Sequence, residues 1–292
     1  MKKLVLLAAL CVAAGLNAKQ LLAIGDSITA AMKWQKRAGE VLGMDVKSHC
    51  RGGIGIVAMA DGRKSDMFPV LTADDVKDAD VIVLMGFYNE RGMVWQPATR
   101  GKAATDMYPQ QKTFCGKLNY LIKRVREEMA KAGNTKAQLF LVAPHCYGKY
   151  PWINQDAYYD GEKMLSAVQE VADFHKIPCI DLFHKGGIDR TNWNKYQASA
   201  SPIAQNYLPA DGSAPAGVNK PFATLAAAPD AAQNNGKTIT VTGVRGCYRS
   251  NGKEWVANPM PFPWIGDQLH MNKDGYYKIG EVIANEIKKH LK

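Results

Sequence analysis

Beyond its first eighteen residues, the 292-residue chain has no apolar run approaching the roughly 18 residues that a membrane-spanning helix needs. The remainder therefore reads as soluble. Cysteine is sparse: Cys50, Cys115, Cys146, Cys179 and Cys247 follow Cys11, and none stands in a Cys-x-x-Cys pair. That excludes a zinc site built of thiolates. Dense basic tracts are absent outside the tail that carries Lys288, Lys289 and Lys292, although the formal net charge is +10. Scattered lysine and arginine describe a solvated surface, so no nucleic-acid partner is expected. His49, His145, His175 and His184 lack a second ligand at metal spacing, so neither metal nor cofactor is expected. No internal repeat is visible.

What is present begins at the N-terminus. Lys2 and Lys3 precede an apolar stretch from Leu4 to Leu16 that ends near the small residue Ala18, the pattern of a secretory signal peptide. The expectation is a signal over residues 1–18, one domain over 19–292, and a secreted or periplasmic protein without a stable membrane anchor. Leu10 before Cys11 argues against lipidation, where a small residue is usual. Cleavage removes two lysines and no acid, leaving +8. An oxidising compartment permits disulfides, yet Cys50, Cys146 and Cys179 adjoin apolar runs where a thiol serves as a small hydrophobe, and no pairing is assigned.

With 47% hydrophobic and 22% charged residues the chain can bury a full core. Short apolar runs at Gln20–Ile24, Met44–Cys50, Val81–Met85, Gln138–Ala143 and Ile177–Leu182 alternate with helical spacing over Ala30–Leu42, Tyr108–Ala132, Asp156–His175 and Lys273–His290. Continuous apolar strands between helices predict an α/β sandwich around a five-stranded parallel sheet covered on both faces. Arg91 to Asp106 reads as a polar loop. Residues 183–265 read as an insertion before the last helix, rich in Ala, Pro, Gly and Asn over 209–236, with β-like runs at 237–244 and 247–256 and a hairpin signal at Asn251-Gly252.

In an open parallel sheet, ligands bind beyond the carboxyl ends of the strands. After the first run stand Gly25-Asp26-Ser27. After the second come Arg51-Gly52-Gly53-Ile54-Gly55, after the third Gly86-Phe87-Tyr88-Asn89, and after the insertion Asp267-Gln268-Leu269-His270. A serine hydroxyl needs an imidazole to take its proton, and His270 is the candidate base. The imidazole needs a carboxylate on its other nitrogen, and Asp267 stands three residues earlier. An oxyanion needs fixed donors, for which the Ser27 N–H, the Gly55 N–H and the Asn89 amide are candidates, glycine at 55 allowing close backbone approach.

These blocks resemble those of the SGNH hydrolases, also called GDSL-like lipases and acylhydrolases. Leu22 to Thr29 is similar to the first block, Arg51 to Gly55 to the second with Gly55 the preferred match and Gly53 the alternative, Asp80 to Gly86 with Asn89 to the third, and Asp267 to Asn272 to the fifth. The resemblance implies a flavodoxin-like three-layer sandwich and metal-free hydrolysis of ester or thioester bonds. One departure stands out: the family's third block has one residue between Gly and Asn and an Asp after it, whereas here Phe87 and Tyr88 intervene and Glu90 follows. A bulge carrying Phe87 or Tyr88 beside the acyl pocket would absorb the extra residue. An α/β-hydrolase is disfavoured, since Thr29 replaces the last glycine of Gly-x-Ser-x-Gly.

The expected function is a secreted serine esterase acting on a small-molecule or polysaccharide ester, with acetylated glycans favoured because the insertion is aromatic and polar. A lipase or lysophospholipase-type acylhydrolase and a non-catalytic glycan-binding relative are the alternatives.

Overall fold

Strand β1 (Gln20–Gly25) is buried along almost its whole length, as are β3 (Val81–Met85) and the later residues of β4 (Gln138–Ala143), because each lies inside a sheet with helices on both faces. The computed structural model describes residues 19–145, 161–189, 192–196, 198, 233–234, 237–238, 248–250, 255–257 and 269–291. With β2 (Asp45–Cys50) and β5 (Cys179–Asp181), the strands form a parallel sheet in the order β2-β1-β3-β4-β5. The order reverses at β1. Its two neighbours carry the loops that leave β2 and β3, so the crevice between them opens at the end of β1.

Successive side chains of a strand point to opposite faces, and the core divides accordingly. Leu22, Ile24, Ile82, Leu84 and Leu141 pack on one side against α3 (Ile56–Asp61), α4 (Ala73–Val76), α6 (Phe114–Lys131) and α7 (Gly161–His175). Leu21, Ala23, Val83, Met85, Phe140 and Val142 pack on the other against α2 (Trp34–Leu42) and α10 (Lys273–Lys288). Helix α10 can lie close along α2 because residue 280 is glycine: a Cβ there would stand 2.4 Å from the Trp34 carbonyl oxygen. This three-layer arrangement is the expected flavodoxin-like sandwich.

Several boundaries differ from the sequence reading. The first helical stretch is broken into α1 (Ser27–Ala30) and α2, with Met32 between them in the left-handed region at φ 55°. The stretch read from Tyr108 becomes helical only at Phe114, where the Thr113 side chain accepts the Gly116 N–H. Residues 91–106 are not a plain polar loop. A 3₁₀ segment (Tyr88–Trp95) leads into α5 (Pro97–Arg100), Val94 and Ala103 are buried, and the Asn119 amide donates to the carbonyls of Ala103 and Asp106 at 2.8 and 2.7 Å.

After β5, α8 (Leu182–Lys185) and α9 (Trp193–Tyr196) follow, and Leu182 and Ile188 join the core. Two small antiparallel ladders, Gln233–Asn234 with Lys237–Thr238 and Tyr248–Ser250 with Trp255–Ala257, are the β structure among the described residues of the insertion. The Asn251-Gly252 pair lies outside the described residues, as do the signal segment, Cys146, Cys247 and Asp267. Cys50, Cys115 and Cys179 are free thiols, and burial pushes their pKa up to about 11, 12 and 12. Among the described residues no helix is long and apolar enough to cross a membrane.

Candidate active site

Strand β1 ends in Gly25, and only glycine fits there: an added Cβ would lie 1.9 Å from the Met85 carbonyl oxygen of the neighbouring strand. Asp26 then caps the single turn of α1, its Oδ1 accepting the Ile28 N–H at 3.0 Å. The turn is fixed to β3 by the Thr29 hydroxyl, which donates to the Met85 carbonyl at 3.1 Å, and the Gln35 amide donates to the Thr29 carbonyl at 2.5 Å. Ser27 thus stands half-buried at the sheet edge on a turn held from two sides.

His270 reaches it from the other end of the chain. Its Nε2 lies 2.8 Å from Ser27 Oγ, a hydrogen bond spanning 243 residues of sequence. The segment bearing His270 is secured by backbone bonds from Ala198 N–H to the His270 carbonyl at 2.8 Å and from Asn272 N–H to the Tyr196 carbonyl at 2.7 Å. Asn272 also caps α10, accepting the Gly275 N–H, while its amide donates to the Lys195 carbonyl. Asp267, the expected orienting carboxylate, lies outside the described residues.

The second and third blocks meet beside Ser27. An added Cβ at Gly52 would sit 3.7 Å from Ser27 Cβ, so this glycine, to which the sequence reading gave no role, stands against the serine. Gly53 takes a left-handed φ of 73° and its carbonyl accepts from Arg63 Nη1 at 2.8 Å. Gly55 has extended backbone and opens α3. A Cβ added at Gly55 would lie 2.2 Å from Glu90 Oε1. Glu90 is buried, accepts the Ile56 N–H at 3.0 Å and pairs with Lys117 at 3.5 Å, and burial raises its pKa. The Asn89 amide, on an exposed residue, donates to the Ile54 carbonyl at 2.7 Å, so blocks two and three are joined by both Asn89 and Glu90.

The extra residue before Asn89 is absorbed by a twist rather than by a bulge flanking a pocket. Gly86 and Phe87 both adopt positive φ, 135° and 75°. Phe87 then turns into the α6 side of the core and Tyr88 into the α10 side, both fully buried, so neither borders an acyl site. A left-handed phenylalanine costs about 1–3 kcal/mol and persists only where its surroundings enforce it. Here the turn wraps Asp26, whose Oδ2 accepts the Tyr88 N–H at 3.2 Å. Burial raises the Asp26 pKa to about 7, outweighing the lowering by the Ile28 and Tyr88 N–H groups and by His270.

A solved structure of a possible lipase from Chitinophaga pinensis matches 93% of this chain and 98% of its own, with TM-score 0.50 and 18% identity. A GDSL-like lipase from Bacteroides thetaiotaomicron matches 94% of this chain and 89% of its own, with TM-score 0.39 and 13% identity. An acetyl xylan esterase matches 92% and 99%, with TM-score 0.43 and 16% identity. The five-stranded parallel sheet and its covering helices are thus the fold of the possible lipase from Chitinophaga pinensis. No protein-family model and no curated protein matches the sequence. Ser27 opens α1 just beyond β1, Gly52 to Gly55 follow β2, Asn89 follows β3 and His270 precedes α10, so these four blocks converge at one sheet edge.

Proposed function

We propose that this protein is a serine ester hydrolase in which Ser27 is the nucleophile and His270 its general base. The observation that carries the reading is the 2.8 Å contact between His270 Nε2 and Ser27 Oγ. In the proposed reaction His270 Nε2 takes the hydroxyl proton as Oγ attacks the acyl carbon. The tetrahedral oxyanion forms against the N–H groups of Ser27 and Gly55 and the Asn89 amide. An amide carries two N–H bonds, so donation to the Ile54 carbonyl orients Asn89 and leaves a second donor for the oxyanion. His270 returns the proton to the leaving alcohol, giving an acyl-serine. Water then repeats the attack, with His270 first accepting its proton and then handing it back to Ser27 as the carboxylic acid departs. Asp267, three residues before the base, is assigned to orient the imidazole and balance its transient charge.

The substrate is proposed to be an acetylated glycan. What supports this is an export signal over residues 1–18 and an insertion rich in aromatic and polar residues, among them Trp193, Tyr248, Trp255 and Trp264. Release of acetate from acetylated xylan and pectin, compared with hydrolysis of nitrophenyl esters of increasing acyl length, tests the substrate class. Preference for long acyl chains overturns it in favour of a lipase-type acylhydrolase. The chemistry itself is tested by Ser27→Ala, which removes only a hydroxyl at a half-buried strand end. It should lower ester hydrolysis about 10³-fold or more while leaving the unfolding midpoint near that of the native protein. Retained activity in the purified variant overturns the assignment.

A further inference from the structure

His145 lies two residues beyond the end of β4, fully buried, and neither the Ser27 chemistry nor its oxyanion donors use it. Both of its ring nitrogens are engaged. Nδ1 lies 2.5 Å from the hydroxyl of Tyr88, itself buried beyond the end of β3, and Nε2 lies 3.0 Å from the carbonyl oxygen of Leu269. The His145 backbone N–H donates to the same Tyr88 hydroxyl at 2.9 Å. A carbonyl oxygen only accepts, so Nε2 carries the hydrogen, and in the neutral ring Nδ1 accepts from the Tyr88 hydroxyl. Every bond has a donor and an acceptor, and the three groups form a directed chain: Tyr88 O–H to His145 Nδ1, then His145 Nε2–H to Leu269 C=O.

We propose that Tyr88 and His145 are positioning residues that hold the Leu269 carbonyl, and through it the imidazole of the next residue, His270, in line with Ser27. The proposal rests on the assignment of Ser27 and His270 made above. The peptide that joins Leu269 to His270 is planar, so fixing the Leu269 carbonyl fixes the plane from which His270 departs. The backbone bonds at Ala198 and Asn272 secure the base segment on its far side. His145 secures it from the sheet, across 124 residues of sequence, at the one carbonyl immediately before the base. Placement matters at this scale, because misalignment of a catalytic group by about 1 Å can cost on the order of 10²-fold in rate. The relay also gives a reason for the extra residue in the third block: the twist at Gly86 and Phe87 turns Tyr88 into the core, toward His145.

The test compares the native protein with Ser27→Ala, Tyr88→Phe, His145→Leu and His145→Gln in steady-state hydrolysis of a nitrophenyl acetate ester, alongside thermal unfolding. Tyr88→Phe removes a single oxygen and keeps the ring, so it remains informative if His145→Leu fails to fold. The expected result is a fall in kcat of roughly 10- to 100-fold in Tyr88→Phe and His145→Leu with KM within about twofold. His145→Gln keeps a side-chain N–H near the position of Nε2 and should recover most of the loss. A nitrogen-15 spectrum of the native protein should show His145 as the Nε2–H tautomer. Full kcat in Tyr88→Phe and His145→Leu, with any effect confined to the unfolding midpoint, overturns the proposal, as does an Nδ1–H tautomer. Undiminished hydrolysis by Ser27→Ala instead overturns the assignment of the nucleophile on which the proposal rests.

Discussion

At the scale of single residues, the least ordinary group is Asp26, a carboxylate with no solvent exposure beside the proposed nucleophile. Burial raises its pKa from 3.8 to about 7. Between those two values the folded protein holds a proton that the unfolded chain has released, so Asp26 opposes folding progressively as pH rises across that window. Asn at this position carries no charge to desolvate. Native protein should therefore lose stability relative to Asp26→Asn from about pH 4 to about pH 7, with the difference constant above and below. Denaturant unfolding of both proteins across that range checks it, and parallel curves would show that Asp26 is solvated or stays ionised in the fold. Nothing in the Gly-Asp-Ser tripeptide announces this behaviour. The same aspartate would be an ordinary exposed helix cap without the Gly86–Phe87 turn folded over it.

At the scale of elements, Glu90 links the 3₁₀ segment after β3 to the first turn of α3. Its Oε1 takes the Ile56 N–H and pairs with Lys117 of α6, and its bulk fills the space under Gly55. Glu90→Ala should leave a buried N–H without an acceptor and cost about 1–3 kcal/mol of stability, with a loss of kcat from the displaced Gly55 loop. Glu90→Gln keeps the acceptor and the volume and should retain most of the stability. Urea midpoints and kcat for the two variants decide the matter, and a silent Glu90→Ala would leave Gly55 held by Asn89 alone. Helical periodicity located α2, α6, α7 and α10 because each buries one apolar stripe. It ran through the break at Met32 because spacing does not register the Thr29 bonds to Met85 and Gln35 that end α1. Residues 91–106 looked polar because their ordering comes from Asn119 of α6 and from Thr113, which caps that helix, and no local pattern can display either.

At the scale of the whole molecule, the parallel sheet brings four separate chain segments to one edge, and the proposed insertion enters the chain between β5 and the base. Residues 209–236, rich in alanine and proline, should then influence which substrate reaches Ser27 rather than the chemistry there. Excising Pro209 to Gly236 should leave turnover of a small acetyl ester within a few-fold of native while changing turnover of an acetylated polymer. Equal losses on both substrates would show that the segment supports the fold.

The sequence by itself determined the five parallel strands, the two covering layers and the positions of Ser27 and His270. Apolar runs, helical stripes and turn residues are local consequences of what each segment must bury. Tertiary structure decided the rest. Glu90 beneath Gly55, the twist that buries Phe87 and Tyr88, and His145 bonded to the carbonyl before the base are contacts across 34 to 124 residues of chain. A buried polar side chain finds its partner only once the sheet has brought distant strand ends together, and its local sequence carries no trace of that partner.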